Sequence, residues 1–318
     1  MVKLIVGAAL MLMMLCRPEA AANGAREGLR QWYYVVAPSL FPFMALMPLM
    51  TCPEVARLYD RALGGIMRRL FGLPGIAASP MIVGMIAGSP AGCAAAVTVS
   101  GAGGLNRGQL QQVAVSCCGL SPAFFISAVG AGLLGDISAG HLLLRSQMMA
   151  QIIMLSLTRL LFRDKSPVGA MAEGPGANPV LSIINVAGYM ALFGAITGAI
   201  GLPWAQLALD ITAGSRLLCE INLYQRMKLA ALSALAGYVG LCICAQNIGV
   251  LKHCGISPVK FVVARCGAGL LAAGLTVLQL YICRLENPVN DPKWISISCI
   301  LALFLALPAI IKLRKTII

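Results

Sequence analysis

Apolar segments as long as a membrane span recur from one end of this chain to the other. Of its 318 residues, 59% are hydrophobic and 11% are charged, whereas a soluble domain carries about 25% charged residues. Because backbone groups in hydrocarbon must be hydrogen-bonded within the chain, only helices and closed barrels cross a membrane. A barrel would show short alternating segments instead. The pattern therefore predicts an all-α polytopic membrane protein.

The apolar segments predict about eight spans and two re-entrant hairpins. The hairpins are assigned to 76–103 and 203–218, where small polar residues interrupt apolar sequence. The predicted spans are 2–16, 33–52, 113–135, 146–162, 181–201, 229–251, 259–282 and 295–311.

Two of these spans carry local irregularities. Segment 2–16 is interpreted as a retained span rather than a signal peptide, because the polar tripeptide RPE at 17–19 separates it from the alanines that would form a cleavage region. Each proline in the second span removes a backbone donor and disfavours helix at the preceding residue. Pro38, Pro42 and Pro48 therefore predict that this helix is kinked or broken.

Residues 54–72 form a segment of a different kind, in which arginines alternate with apolar side chains. It is too charged to span a membrane, and its spacing suits an amphipathic helix lying in the membrane interface with its arginines toward the headgroups. The alternative is a loop helix in the cytosol. The arginines are Arg57, Arg61, Arg68 and Arg69.

The two predicted hairpins are interrupted by similar motifs, AGSPAG at 87–92 and ITAGSR at 211–216. A membrane helix is interrupted only where the freed backbone groups are buried in protein or line a wet cavity. Paired breaks in two halves of a chain are the best sequence indication of a transporter's central site. Placing Ser89 on Ser215, 126 residues apart, also places Cys118 on Cys244.

This alignment predicts two related repeats, which are inverted if the halves enter the membrane from opposite sides. It also matches Ser121 with Asn247, where polar residues interrupt later spans. The predicted organisation is an N-terminal span and loop (1–32), a first repeat containing the interfacial helix (33–162), a linker (163–180), a second repeat (181–282), and a C-terminal span with a basic tail (283–318).

Asp210 is the strongest candidate for a functional residue, because an ionisable side chain at membrane depth is costly and usually functional. The alternative is that it caps a helix, a position that Asp also favours. The other candidates come from the hairpin tips and the later spans, where close helix packing and interhelical hydrogen bonds are the competing explanations. The predicted substrate-binding residues are Gly88, Ser89, Pro90, Gly92, Ser121, Asp210, Thr212, Gly214, Ser215, Gln246 and Asn247.

The net charge of +13 is better explained by anchoring at anionic headgroups and by orientation in the membrane than by nucleic-acid binding. Arg216 pairs with Glu220 four residues later, or meets a substrate carboxylate. Arg265, inside an apolar run, snorkels or binds an anion. Asp136 and Arg145 are interpreted as markers of a membrane boundary.

The sequence contains no hydrolase triad, zinc signature, P-loop or dinucleotide fingerprint, so we expect neither an enzyme nor a cofactor. The two histidines, His141 and His253, are far apart and give no metal-ligand spacing. The twelve cysteines include no CxxC pair, and most lie in apolar segments, where cysteine acts as a small apolar residue. A coupling ion and a homo-oligomer both stay open.

Several motifs together resemble the YlbJ-type sporulation integral membrane proteins. The combination of PSLFPF with GSPAG is fairly specific, and the resemblance covers nearly the whole chain. The motifs are GLRQW at 28–32, PSLFPF at 38–43, LPG at 73–75, GMIAGSPAG at 84–92, LSPAFFI at 120–126 and DITAG at 210–214, with Gln246.

The resemblance implies nucleoside-recognition Gate repeats, distantly similar to concentrative nucleoside transporters. It further implies a sporulation-associated transporter of the cell membrane that moves a small anion, dipicolinate, across the outer forespore membrane. The alternatives are a nucleoside-type transporter and a membrane scaffold for spore-envelope assembly that transports nothing. The chain departs from the family pattern at Asp210, where Glu is expected, and at 118–121, where an Asn-rich segment is expected.

Overall fold

The computed structural model describes residues 2–162, Ser166 and residues 178–282. Regular structure in these residues is helical throughout. The helices are α1 (Val2–Cys16), α2 (Pro18–Thr51), α3 (Pro53–Ile66, continued by a π turn at Met67–Phe71), α4 (Ala78–Ile86), α5 (Ala91–Gly101), α6 (Arg107–Cys117), α7 (Phe124–Leu134, π-helical), α8 (Ile137–Leu161), α9 (Pro179–Ile200), α10 (Ala205–Leu209), α11 (Ile211–Glu220), α12 (Gln225–Tyr238), α13 (Gly240–Val250) and α14 (Pro258–Ile282).

Within the described residues, four apolar helices are long enough to cross a membrane, and a bent pair raises the number to five. The four are α2, α9, α14, and the pair α12–α13, which together count as one span (Gln225–Val250). The bent pair joins Glu54–Phe71 to Gly75–Ile86 at 94°. The predicted span at 295–311, the predicted C-terminal segment 283–318 and most of the predicted linker 163–180 lie outside the described residues.

The second predicted span is not broken at its prolines, so that half of the expectation from sequence is wrong, whereas a kink there stays a prediction. It forms the C-terminal part of α2, a 34-residue helix. A π turn at Trp32–Val36 precedes Pro38, and the Ser39 hydroxyl donates to the Val35 carbonyl at 2.7 Å. The π turn and the hydroxyl re-satisfy backbone groups near the proline, so the helix continues.

The amphipathic helix predicted at 54–72 is present as α3 and its π turn. Its arginines are exposed, whereas its apolar side chains at every fourth position are buried. The buried residues are Tyr59, Leu63, Met67 and Phe71. This pattern is what an interfacial helix requires, although the interface position itself stays a prediction.

Both predicted hairpins are present as helix–break–helix units. In the first, α4 and α5 are separated by residues 87–90; in the second, α10 and α11 meet at Asp210. Gly214 and Ser215 lie inside α11 rather than at the tip. The alignment of Ser89 with Ser215 is therefore wrong, because it matches a break with the interior of a helix.

Two later segments, predicted as continuous spans, contain backbone breaks. Residues 113–135 are divided, since α6 ends at Cys117 and α7 begins at Phe124. Within 229–251, Val239 and Gly240 adopt the left-handed region with φ of 67° and 76°. Gln246 and Asn247 lie seven or eight residues beyond Val239, inside α13; the expectation that they interrupt a span is wrong.

Close packing of α2 on α9 sets one wall of the molecule's interior. A Cβ at Gly24 would lie 2.1 Å from the Gly194 carbonyl oxygen, and a Cβ at Gly28 would lie 2.3 Å from the Met190 carbonyl oxygen. The Trp32 indole also donates to the Ile183 carbonyl at 3.0 Å. Small residues thus let the two backbones touch, as membrane helices without a hydrophobic driving force require.

Candidate functional site

A central cavity of about 540 Å³ lies between the two parts of the chain. Its volume falls within the range of small-molecule sites. Five of the residues predicted from sequence line it: Ser89, Ser121, Asp210, Thr212 and Gln246. The remaining wall comes from α2, from residues 119–128 at the first later break and the start of α7, and from the face of α9 that carries Val186 and Met190. Ile211, Cys242 and Ile243 complete it.

Ser89 reaches the cavity from the tip of the first hairpin and is held there by both parts of the chain. Its N–H donates to the Gly119 carbonyl at 2.8 Å, and its hydroxyl donates to Asn247 Oδ1 at 2.9 Å. Asn247 Nδ2 in turn donates to the Ile243 carbonyl at 2.7 Å. Asn247, predicted to bind substrate, does not line the central cavity but holds the Ser89 side chain, which does.

The three glycines among the predicted site residues serve close packing. Gly88 has a φ of 76°, and a Cβ there would lie 2.9 Å from the Ser121 nitrogen. A Cβ at Gly92 would lie 2.6 Å from the Gly84 Cα, and one at Gly214 would lie 3.0 Å from the Gln206 carbonyl oxygen. These contacts fit the packing alternative, and none of the three glycines lines the central cavity. Their part in substrate binding stays a prediction.

Two further predicted residues lie beside the cavity rather than in its wall. Ser215 is buried within α11. Pro90 lines a separate cavity of about 210 Å³. Neither residue is among those that line the central cavity.

Asp210 has two roles at once. Its Oδ1 accepts the N–H groups of Thr212 and Ala213, both at 2.8 Å, so it caps α11. Its other oxygen, Oδ2, has no hydrogen-bond donor among the described residues. The side chain also lines the central cavity and a second cavity of about 290 Å³. The alternatives of cap and cavity residue are thus not exclusive.

The three cavities share walls. Met190 and Asp210 line both the central cavity and the second one, whose other polar residues include Glu27 and Gln31. Val186 and Gln246 line both the central cavity and the third one, which contains Pro90. These shared residues lie between the central cavity and each of its two neighbours.

Arg265 does not snorkel, contrary to one reading from sequence, and it is not among the residues that line the central cavity. Its side chain is fully buried. Nη1 donates to the Val115 carbonyl at 2.9 Å, and Nη2 donates to the Gly237 carbonyl. These carbonyls belong to the last turns of α6 and α12, directly before the two later breaks. A cation is favourable at a helix C-terminus, and here one cation serves two.

Other charged residues also find their partners within the chain. Arg216 pairs with Glu27 at 3.6 Å, and not with Glu220 as one reading of the sequence had it. Asp136 caps α8 by accepting the Ser138 N–H at 2.8 Å. The first contact is an exposed ion pair between α2 and α11, and the second satisfies the N-terminus of a helix.

Sequence reasoning missed the part of the wall that α2, α7 and α9 supply. Ser39, Phe124 and Met190 line the cavity, yet each lies in an apolar segment that looks like an ordinary span. The one usable signal was the PSLFPF motif, because its serine and prolines are unusual in a membrane helix.

The comparisons with known proteins give one informative relative. The chain is 23% identical over 320 residues to the sporulation integral membrane protein YlbJ of Bacillus subtilis (strain 168), covering 83% of this chain and 78% of the relative. No family model matches the chain. No solved structure matches it either. The similarity confirms the resemblance stated from the sequence motifs.

Proposed function

From its place among the YlbJ-type sporulation integral membrane proteins, we propose that this chain is a sporulation-associated transporter of a small anionic solute. Dipicolinate moving across the outer forespore membrane is the specific substrate and place we propose. The observation that supports transport is the central cavity, where a hairpin tip from each part of the chain contributes a polar side chain, Ser89 and Asp210.

The arrangement of cavities also favours a path through the protein. A transporter needs a central site that communicates with either side in turn. The central cavity shares Met190 and Asp210 with the second cavity, and it shares Val186 and Gln246 with the third. Movement of either pair would connect the centre to a neighbouring cavity.

We further propose that the two parts are related repeats in a register of 121 residues. This register matches Ser89 with Asp210 at the hairpin tips and Gly119 with Gly240 at the later breaks. The tip packs on the break in both parts: Ser89 donates to Gly119, and a Cβ at Gly240 would lie 3.2 Å from the nitrogen of Ile211, the residue after Asp210.

The charge of the site bears on the substrate. Asp210 is the single charged residue among the described residues that line the central cavity. Beside it, the N-termini of α7 and α11 offer partial positive charge. A dianion would be repelled by an ionised Asp210 unless a proton or a cation bound with it, whereas a neutral nucleoside would not. This observation favours a nucleoside-like solute as the second candidate.

The decisive experiment is uptake of labelled dipicolinate, and separately of labelled uridine, into liposomes containing the purified protein. Asp210→Asn is the test variant, and Glu220→Gln, which changes an exposed carboxylate on the same helix, is the matched control. We expect saturable uptake of one solute that Asp210→Asn reduces by at least tenfold and Glu220→Gln leaves unchanged. No uptake of either solute by well-folded wild-type protein would contradict the proposal.

A further inference from the structure

Two buried amide side chains on α8 stand out from the other polar groups of the interior. Gln147 and Gln151 lie four residues apart on one face of the helix, and each is 2% exposed. Gln147 Nε2 and Oε1 and Gln151 Nε2 have no hydrogen-bond partner in the described part of the chain. Buried polar groups are nearly always paired, so these two call for an explanation.

Both amides point at the first of the later breaks. A Cβ at Gly119 would lie 1.7 Å from Gln151 Nε2 and 3.7 Å from Gln147 Nε2. Gly119 also lines the central cavity and holds the tip of the first hairpin through Ser89. The two amides therefore lie one residue behind the cavity wall, at a residue with no side chain to cover them.

A structural amide in the same interior looks different. Gln112 is similarly buried, but its Nε2 donates to the Phe71 carbonyl at 2.9 Å and to the Leu155 carbonyl at 2.8 Å. An amide that holds helices together is thus fully used in this protein. Since leaving a buried amide unpaired is costly and an apolar side chain of similar size avoids that cost, packing does not explain Gln147 and Gln151.

We propose that Gln147 and Gln151 are substrate-binding residues whose NH₂ groups bind a carboxylate of the transported solute when it enters the break at Gly119. Two amide donors one helical turn apart match the two oxygens of a carboxylate, and they would add donors at Gly119 to a cavity whose described lining carries the acidic Asp210. The proposal rests on the proposed transport function and deepens it. In this proposal α8 recognises the carboxylate of the solute, and Asp210 binds the proton or cation that accompanies it.

The test compares Gln147→Leu and Gln151→Leu with wild type for uptake of dipicolinate and for melting temperature in detergent. We expect the concentration of dipicolinate giving half-maximal uptake to rise at least tenfold, while the melting temperature stays equal or rises. Gln112→Leu is the control, and its melting temperature should fall. If the leucine variants do not fold, Gln147→Met and Gln151→Met keep the length of the side chain and remove the donors.

Three outcomes overturn the proposal. If the dipicolinate concentration that gives half-maximal uptake is unchanged in both variants, the amides are packing groups. The proposed transport function then stands without them. A loss of uptake that follows a fall in melting temperature, as in Gln112→Leu, shows a structural role. If wild-type protein takes up uridine but neither takes up dipicolinate nor melts at a higher temperature with it, the assignment of a carboxylate is wrong while transport remains.

Discussion

Replacing Gly28 with alanine tests the contact between α2 and α9 that builds one wall of the central cavity. The added Cβ would lie 2.3 Å from the Met190 carbonyl oxygen and 2.9 Å from its carbonyl carbon. Both are backbone atoms, so no side-chain rotation relieves the contact. Reaching even 3.0 Å requires the two backbones to separate by about 0.7 Å, and overpacking of this kind costs about 1–3 kcal/mol.

Gly188→Ala is the matched control, because it lies on α9 and a Cβ there meets nothing within 4 Å. Both variants gain about 1 kcal/mol from the better helix propensity of alanine, so their difference isolates the clash. At about 2–4 °C per kcal/mol for a chain of this order of size, Gly28→Ala should melt about 2–12 °C below Gly188→Ala. Thermal unfolding in a single detergent, followed by fluorescence or by loss of monodisperse protein, measures it.

The reasoning fails if Gly28→Ala melts at or above the temperature of Gly188→Ala, since the two helices would then not touch at this glycine. A second consequence is functional. Because Met190 lines the central cavity, separating α9 from α2 should also change the rate of uptake. Gly188→Ala should leave uptake unchanged.

Two further predictions use the uptake and melting assays. Met190→Trp enlarges a side chain that lines two cavities, and it should lower uptake at least fivefold without loss of folded protein. Leu192→Trp, on an exposed face of the same helix, should leave uptake unchanged. Equal uptake by the two variants would argue against the proposed path. Arg265→Lys keeps the charge but does not reproduce the two carbonyl contacts that the planar guanidinium makes. The free energy of unfolding should therefore fall by about 2 kcal/mol, the contribution of one hydrogen bond to a charged group. An unchanged melting temperature would show that a single contact suffices.

Those features of the fold that depend on local sequence could be predicted. The amphipathic helix at 54–72 follows from the alternation of arginines with apolar residues, and the burial of Tyr59 and Phe71 fits it. The first hairpin break was located correctly because Gly88 and Pro90 are residues that end helices. In both cases the residues that make the prediction possible lie within a few sequence positions of the helix or break that they predict.

The features that depend on distant contacts could not be predicted. In the second hairpin, Gly214 and Ser215 look like a break, yet both lie inside α11, and the tip is set instead by the cap at Asp210. The burial of Gln147 depends on the break at Gly119, which is 28 residues away in sequence. No local pattern carries that information.

The position of Arg265 constrains how the protein can move. One guanidinium group on α14 donates to carbonyls in the last turns of α6 and α12, which lie on opposite sides of the linker in the sequence. Displacing either later break away from α14 would therefore cost a charge-assisted hydrogen bond. In the proposed transport cycle, we expect this shared contact to persist while the hairpin tips at Ser89 and Asp210 move.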